Sequence, residues 1–286
     1  MSTTAITSGL LYLVLAPLIG GLIAGMDRIL SARMQMRVGP PIWQPFYDVG
    51  KLFSKEQLVV NHMQTTLISG LLFFMVITGL LFFTGYDLLL VIFTFTLASI
   101  FLILAAYRAG SPYSFIGAER ELLQIMAYEP MVLLVPIGIY LVTKTFSISE
   151  ILKFETPLIF YLPGVFIGFL HVLTIKFRKS PFDLSSTHHA HQELVKGLTT
   201  EFSGPSLALI EIAHWYENVL LLGMIYLFFA PIPWVGVLLA LGLYFLEIVI
   251  DNSFARMKWE FLLKSSWWVA LIFGGGNIIL LMLFKH

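Results

Sequence analysis

Eight long apolar stretches run through this 286-residue chain: Gly9–Met26, Thr65–Thr84, Leu88–Ala106, Leu122–Val142, Leu158–Ile175, Ser206–Phe229, Trp234–Ile250 and Trp267–Phe284. A helix needs about 20 mostly apolar residues to cross a bilayer, and these stretches have that length. Only 12% of residues are charged and the mean hydropathy is +0.88, whereas soluble domains carry about 25% charge. The expected fold is an all-α integral membrane protein with about eight transmembrane helices and long loops, residues 1–286 forming one membrane domain. Gly85-Tyr86-Asp87 leaves only a tight turn between the second and third stretches, and Ala230-Pro231-Ile232-Pro233 breaks the chain between the sixth and seventh. Met1–Ser8 has no basic segment and no small-residue cleavage pattern follows, so the first helix is expected to remain as an anchor.

Basic residues give the expected orientation. Arg28, Arg33, Arg37, Lys51, Lys55, Arg108, Arg120, Lys176, Arg178, Lys179, Lys196, Arg256, Lys258 and Lys264 fall on one side; Lys144, Lys153 and Lys285 fall on the other. Loops rich in Lys and Arg stay in the cytoplasm. Eight passes then place both termini outside the cell membrane. The cytoplasmic side receives all the long polar connections: Asp27–Gln64, Tyr107–Glu121, Arg178–Pro205 and Asp251–Ser266. Such crowding on one face fits a platform for a soluble partner, since long ordered loops are usually functional. A formal net charge of zero gives no reason to expect nucleic acid.

Soluble-enzyme chemistry is absent from the pattern. The chain has no glycine-rich phosphate loop, no G-x-S-x-G elbow and no H-E-x-x-H pair. It has no cysteine, which excludes disulfides and any thiolate-bound iron–sulfur cluster or zinc within this chain. His188, His189 and His191 cluster in a loop, but their spacing matches no standard metal site and suits a polar lining. Gly274-Gly275-Gly276, inside the last stretch, suits close helix packing or a kink.

The chemistry that remains is carboxylate and imidazole in apolar surroundings. Glu129 lies in the fourth stretch beside Pro130, with Pro136 beyond it. A proline frees backbone carbonyls that then need other partners. Glu211, His214, Glu217 and Asn218 lie near one face of the sixth helix, with no basic neighbour in sequence. Glu247 and Asp251 are one turn apart at the end of the seventh. Intramembrane acids either pair with a base and hold helices together, as Asp251 can with Arg256 or Lys258, or hand protons along a file. Glu129, Glu211, His214 and Glu217 are taken as a proton relay; Glu247 and Asp251 fit either role.

Four ordered stretches carry a family likeness. Arg33–Glu56 (R-M-Q-M-R-V-G-P-P-I-W-Q-P-F-Y-D-V-G-K-L-F-S-K-E) and Gly117–Pro130 (G-A-E-R-E-L-L-Q-I-M-A-Y-E-P) are two of them. The others are Ser180–Leu184 with Gln192–Val195, and Thr200–Pro205 (T-E-F-S-G-P). Together they resemble the NuoH-type membrane subunit of respiratory complex I. The sequence departs from complex I in a short connection between Gly39-Pro40 and Gln44-Pro45, and in Ser185–Glu193 where complex I carries an acidic run. His214 stands where complex I has a helix glutamate. These departures resemble the corresponding subunit of energy-converting, membrane-bound [NiFe] hydrogenases.

The resemblance implies a non-redox subunit of a multisubunit oxidoreductase. It would anchor cytoplasmic [NiFe] hydrogenase large and small subunits and a ferredoxin-type iron–sulfur subunit to antiporter-like membrane subunits. Electrons from reduced ferredoxin would make hydrogen and drive ion movement. The [NiFe] centre and clusters would belong to partners, this chain binding no cofactor or metal. Arg33, Arg37, Gln44, Asp48, Lys51, Glu56 and Arg120 would form the docking surface. Asp183, Glu193 and Glu201 would join Glu129, the sixth-helix residues, Glu247 and Asp251 in coupling. The alternatives are a quinone-site subunit of complex I, or the same subunit in a ferredoxin-driven sulfur-reducing complex.

Overall fold

The structure is a computed structural model and describes residues 3–57, 62–179, 181–182 and 196–284. The described residues contain eleven α-helices and no strand; two isolated bridges, Asp87 with Ser147 and Phe182 with Met257, are the only strand-like pairings among them. The helices are α1 (Thr3–Met34), α2 (Gln44–Phe53), α3 (His62–Phe83), α4 (Leu88–Tyr107), α5 (Pro112–Thr143), α6 (Ile148–Ile151), α7 (Pro163–Lys176), α8 (Pro205–Leu227), α9 (Pro233–Ser253), α10 (Trp259–Val269) and α11 (Gly276–Phe284). Seven helical segments among the described residues are long and apolar enough to cross a membrane, the last running from α10 through α11.

The fifth expected span is a correction. Leu158–Ile175 is not one helix: a 3₁₀ turn (Leu158–Phe160) precedes α7, which has 14 residues and is therefore about 21 Å long. It can be short because it is walled by protein. Val165, Phe169, Val172 and Leu173 are all buried, against α5, α10 and the segment that follows α10. Boundaries differ elsewhere too. The helix expected at Leu122 starts at Pro112, where proline suits the first turn. Its 32 residues absorb Pro130 and Pro136 without a break. The helix expected at Trp267 starts at Trp259.

Between α10 and α11, Ala270–Gly275 widens into a π-helix. Of the two roles expected for the glycine run, close packing holds at Gly274. A side chain at Gly274 would meet Leu134 and Met131 of α5, and one at Gly164 would meet the Phe273 carbonyl. Asn277 completes this joint. Its Oδ1 accepts from the Gly164 and Val165 amides at 3.0 and 3.1 Å, and its Nδ2 donates to the Tyr161 carbonyl at 3.2 Å. These amides are among those that a helix start leaves without partners, so α11 caps α7 from outside.

Connections gather at two ends. At one, Asp87 caps α4, accepting from the Leu89 and Leu90 amides at 2.8 and 3.2 Å. The same turn exchanges backbone bonds with Phe146, Ile148 and Ser149 beyond α5. At the other end lie α2, the start of α5, the end of α7, the start of α8 and the α9–α10 connection. Gln57 donates to Ser206 at 3.1 Å there, and the Met257 amide donates to the Pro181 carbonyl at 2.6 Å. Alternate ends along the chain thus fall together. The fourteen basic residues assigned to one side belong to segments at this second end.

Candidate functional site

At the polar end, a cleft of about 680 Å³ opens between α1, α2, α8 and the chain after α7. Its walls are charged. Asp27 and Arg28 come from the end of α1, Asp48 and Lys51 from α2, Glu211 and His214 from α8, and Asp251 from α9. Sequence analysis placed Arg28 in a loop, but α1 continues past it to Met34. Helical order there lets Arg28 Nη1 donate to Asp48 Oδ2 at 2.5 Å. Gln44, one turn earlier on α2, donates to the other carboxylate oxygen at 2.9 Å. Burial tends to raise the Asp48 carboxyl, but the bonds from Arg28 and Gln44 and the nearby positive charges outweigh it and hold the carboxyl below its usual value. On its other face α2 packs Phe46 against Trp215 of α8, ring centroids 5.1 Å apart.

The chain after α7 supplies the opposite wall. The Lys179 amide donates back to the Thr174 carbonyl, and Arg178 adopts a left-handed φ of 57°. This closes α7 as a Schellman-type turn without glycine. The turn aims three basic side chains differently. Lys179 reaches Asp27 at 2.5 Å and Asp251 at 3.9 Å. Arg178 reaches Glu121 of α5 at 4.0 Å. Lys176 points into the protein and meets Glu217 of α8 at 3.5 Å. Ser31, Asn252 and Gln35 extend the Asp27 wall as a polar ladder between α1 and α9.

A second, nearly closed space of about 20 Å³ lies deeper, lined by Gln124, Tyr128, Lys176, His214 and Glu217 among others. It has room for about one water molecule. His214 and Arg178 line both spaces. The face shared by Glu211, His214 and Glu217 therefore runs from the cleft to the inner space: Glu211 and His214 in the cleft, His214 and Glu217 inside. Glu211 lies in the field of Arg28, Arg178, Lys196 and Asp48. Glu129 is half-buried on α5, its Oε2 has no hydrogen-bond partner among the described residues, and the Lys176 charge acts on it.

The other expected coupling residues are dispersed. Asp183 and Glu193 lie outside the described residues, as do His188, His189 and His191. Glu201 occupies the turn before α8; its neighbours Thr200 and Phe202 line the cleft. Asp251 lines the cleft against Lys179. Glu247, one turn inward, is 3% exposed, and its Oε2 has no hydrogen-bond partner among the described residues. Of the expected docking residues, Arg33, Arg37 and Glu56 are exposed, and Gln44, Asp48 and Lys51 lie on α2. Arg120 is placed elsewhere, 5.3 Å over the Trp259 ring of α10.

Sequence analysis missed Asp27, Glu121, Lys176 and Lys179. The two lysines were counted as loop charges, yet both are buried, at 8% and 6% exposure. The available signal was Lys176 closing an unbroken apolar run, where a charge needs an internal partner.

Comparison with known proteins agrees with this architecture. The family described as NADH dehydrogenase matches residues 7–282. Hydrogenase-4 component C of Escherichia coli K12 is 31% identical over 244 residues, covering 79% of this chain and 75% of that protein. A subunit of NADH-quinone oxidoreductase from Aquifex aeolicus is 26% identical over 239 residues, covering 72% of this chain and 70% of that protein. In three dimensions, a chain of the membrane-bound sulfane sulfur reductase, an archaeal respiratory membrane complex, superposes with a TM-score of 0.82. It is 26% identical, with 97% of this chain and 99% of that one covered. This chain belongs to the NADH dehydrogenase family of membrane subunits, whose members include components of hydrogenase-4 and of NADH-quinone oxidoreductase.

Proposed function

We propose that this chain is the membrane anchor and coupling subunit of a ferredoxin-dependent, hydrogen-evolving, ion-translocating [NiFe] hydrogenase complex. The observation that carries the reading is the continuity from the charged cleft, through His214, to the inner space at Glu217 and Lys176. An open polar cleft at the polar end can meet a soluble redox module, and the file behind it leads into the apolar helices. In this reading the polar end faces the cytoplasm and both termini lie outside. The partners hold the [NiFe] centre and the iron–sulfur clusters, because this chain has no cysteine to supply. Antiporter-like membrane subunits carry the ions. The likeness to hydrogenase-4 component C supports this choice of complex.

A quinone-site role is the second reading, favoured by the likeness to the NADH-quinone oxidoreductase subunit. A quinone with an isoprenoid tail needs a largely apolar site. The cleft instead presents Asp27, Arg28, Asp48, Lys51, Glu211 and Asp251, which argues against it. A sulfur-reducing complex is the third, favoured by the superposition on the sulfane sulfur reductase chain.

The test is to purify the complex through an affinity tag on this chain and identify its subunits and its electron acceptor. The expected result is a [NiFe] large subunit and hydrogen evolution from reduced ferredoxin. Quinone reduction sensitive to site inhibitors, or sulfide production without hydrogen, would replace the proposal with the second or third reading.

A further inference from the structure

Lys176 is an expensive residue to bury, and the structure surrounds it closely. Its Nζ lies 4.0 Å from the Phe95 ring centroid and 4.5 Å from that of Tyr128. It donates to Ser99 Oγ at 3.3 Å and pairs with Glu217 Oε1 at 3.5 Å. Four helices contribute: α4, α5, α7 and α8. Ring faces attract a desolvated ammonium electrostatically. The cage therefore holds the cation without committing it to one carboxylate. A second carboxylate, Glu129, is the residue after Tyr128 on α5, next to the ring that faces the ammonium. The inner space beside it is open to His214.

We propose that Lys176 is the gate of the coupling path: its ammonium pairs alternately with Glu217 and Glu129, and the exchange admits one proton at a time from the cleft side. This rests on the relay reading of Glu211, His214 and Glu217. In the proposed starting state, Glu217 is the ionised partner of Lys176, 3.5 Å away, and Glu129 holds a proton. A protonated His214 gives up a ring N–H proton through a water in the inner space, and an O–H bond forms on Glu217. Neutral Glu217 no longer holds the ammonium. Lys176 stays protonated and turns to Glu129, whose O–H proton leaves toward the next membrane subunit. The proton on Glu217 then passes to the Glu129 carboxylate, and Lys176 returns to Glu217. One proton has moved from His214 to beyond Glu129, and a proton taken up from the cleft through Glu211 recharges His214.

The test uses the whole complex in lipid vesicles. Electron transfer is driven by dithionite-reduced methyl viologen, and ion uptake is followed with proton- and sodium-sensitive dyes. Lys176→Met is expected to keep viologen-driven electron transfer and lose ion uptake. The double variant Lys176→Met/Glu217→Gln removes both charges, and with them the carboxylate that Lys176→Met alone would leave unpaired at position 217. It is expected to assemble and still lose uptake, which a merely structural pair would not do. Wild-type uptake in either variant overturns the gate. Lys176→Arg keeps a cation but fixes it on Glu217 through a larger, forked group, so it assembles and takes up ions more slowly. Wild-type uptake in Lys176→Arg would also overturn the gate, and this variant decides if the others fail to assemble. If Glu211→Leu and His214→Leu lose uptake while Lys176→Met does not, the gate alone fails. If all three keep it, the relay reading fails as well.

Discussion

Arg28 at the end of α1 donates to Asp48 in the middle of α2 at 2.5 Å, so the amphipathic helix at the mouth of the cleft is held by a charge on the helix that precedes it. The pair is 44% and 39% exposed, so solvent screens it and its direct stabilisation is less than about 1 kcal/mol. Its effect is local: it sets where α2 lies. Asp48→Asn is expected to speed hydrogen exchange of the 44–53 amides while leaving the long helices protected. The Asp48 carboxyl is held below its ordinary 3.8. The pairing therefore contributes fully above that pH and is lost as the pH falls through the lowered value. Exchange of α2 in the wild type should approach that of Asp48→Asn only in this acid window. Loss of protection at neutral pH instead would show that the pair does not hold α2.

Helix existence was legible because a bilayer imposes length and hydropathy, and all but one expected span is a long helix. The exception, α7, shows the limit of that signal. Hydropathy reports that Leu158–Ile175 avoids water, but not that α5 and α10 replace lipid around it. The α8 file of Glu211, His214 and Glu217 was legible from helical spacing. Its counter-charge was not. Lys176 and Lys179 sit beside loop residues in sequence, and the positive-inside rule counts them with the loop. Lys176, the last residue of α7, points inward to Glu217, and the Schellman-type turn at Arg178 sends Lys179 to Asp27. Side-chain direction at a helix end is set by a few backbone angles, which periodicity does not carry.

Glu211 and His214 face the cleft from adjacent turns of α8. Replacing either with leucine is expected to leave the complex assembled, because neither replacement changes the helix propensity of α8 for the worse. Ion uptake by the assembled complex in vesicles should fall to background. Unchanged uptake in both variants, measured beside an intact redox assay, would remove them from the relay.

Arg33 and Arg37 flank the exposed tip between α1 and α2, where Met36 and Val38 have no cover. Arg37 bonds the side chain of Gln35, which in turn donates to Asn252 of α9 at 2.9 Å. The tip is thus tied to the body of the protein while its charges point outward. Reversing both (Arg33→Glu with Arg37→Glu) is expected to release the soluble module from washed membranes. The membrane subunits should remain together. Full retention of the module at physiological salt would locate the dock elsewhere.

Asn277 joins α11 to α7, accepting from two amides at 3.0 and 3.1 Å and donating to the Tyr161 carbonyl. A buried polar group left without a partner costs about 1–3 kcal/mol. Asn277→Leu removes the acceptor of both amides at the α7 start. The expected loss is about 2–4 kcal/mol after partial relaxation. Asn277→Asp retains the acceptor and places a negative charge at a helix N-terminus, which is favourable; only the bond to Tyr161 is lost. The order of thermal stability in detergent should be wild type, then Asp, then Leu. Tryptophan fluorescence suits the measurement, since thiol dyes have no cysteine to label here. An Asn277→Leu protein that melts with the wild type would mean that the π segment and glycine packing hold α7 without the cap.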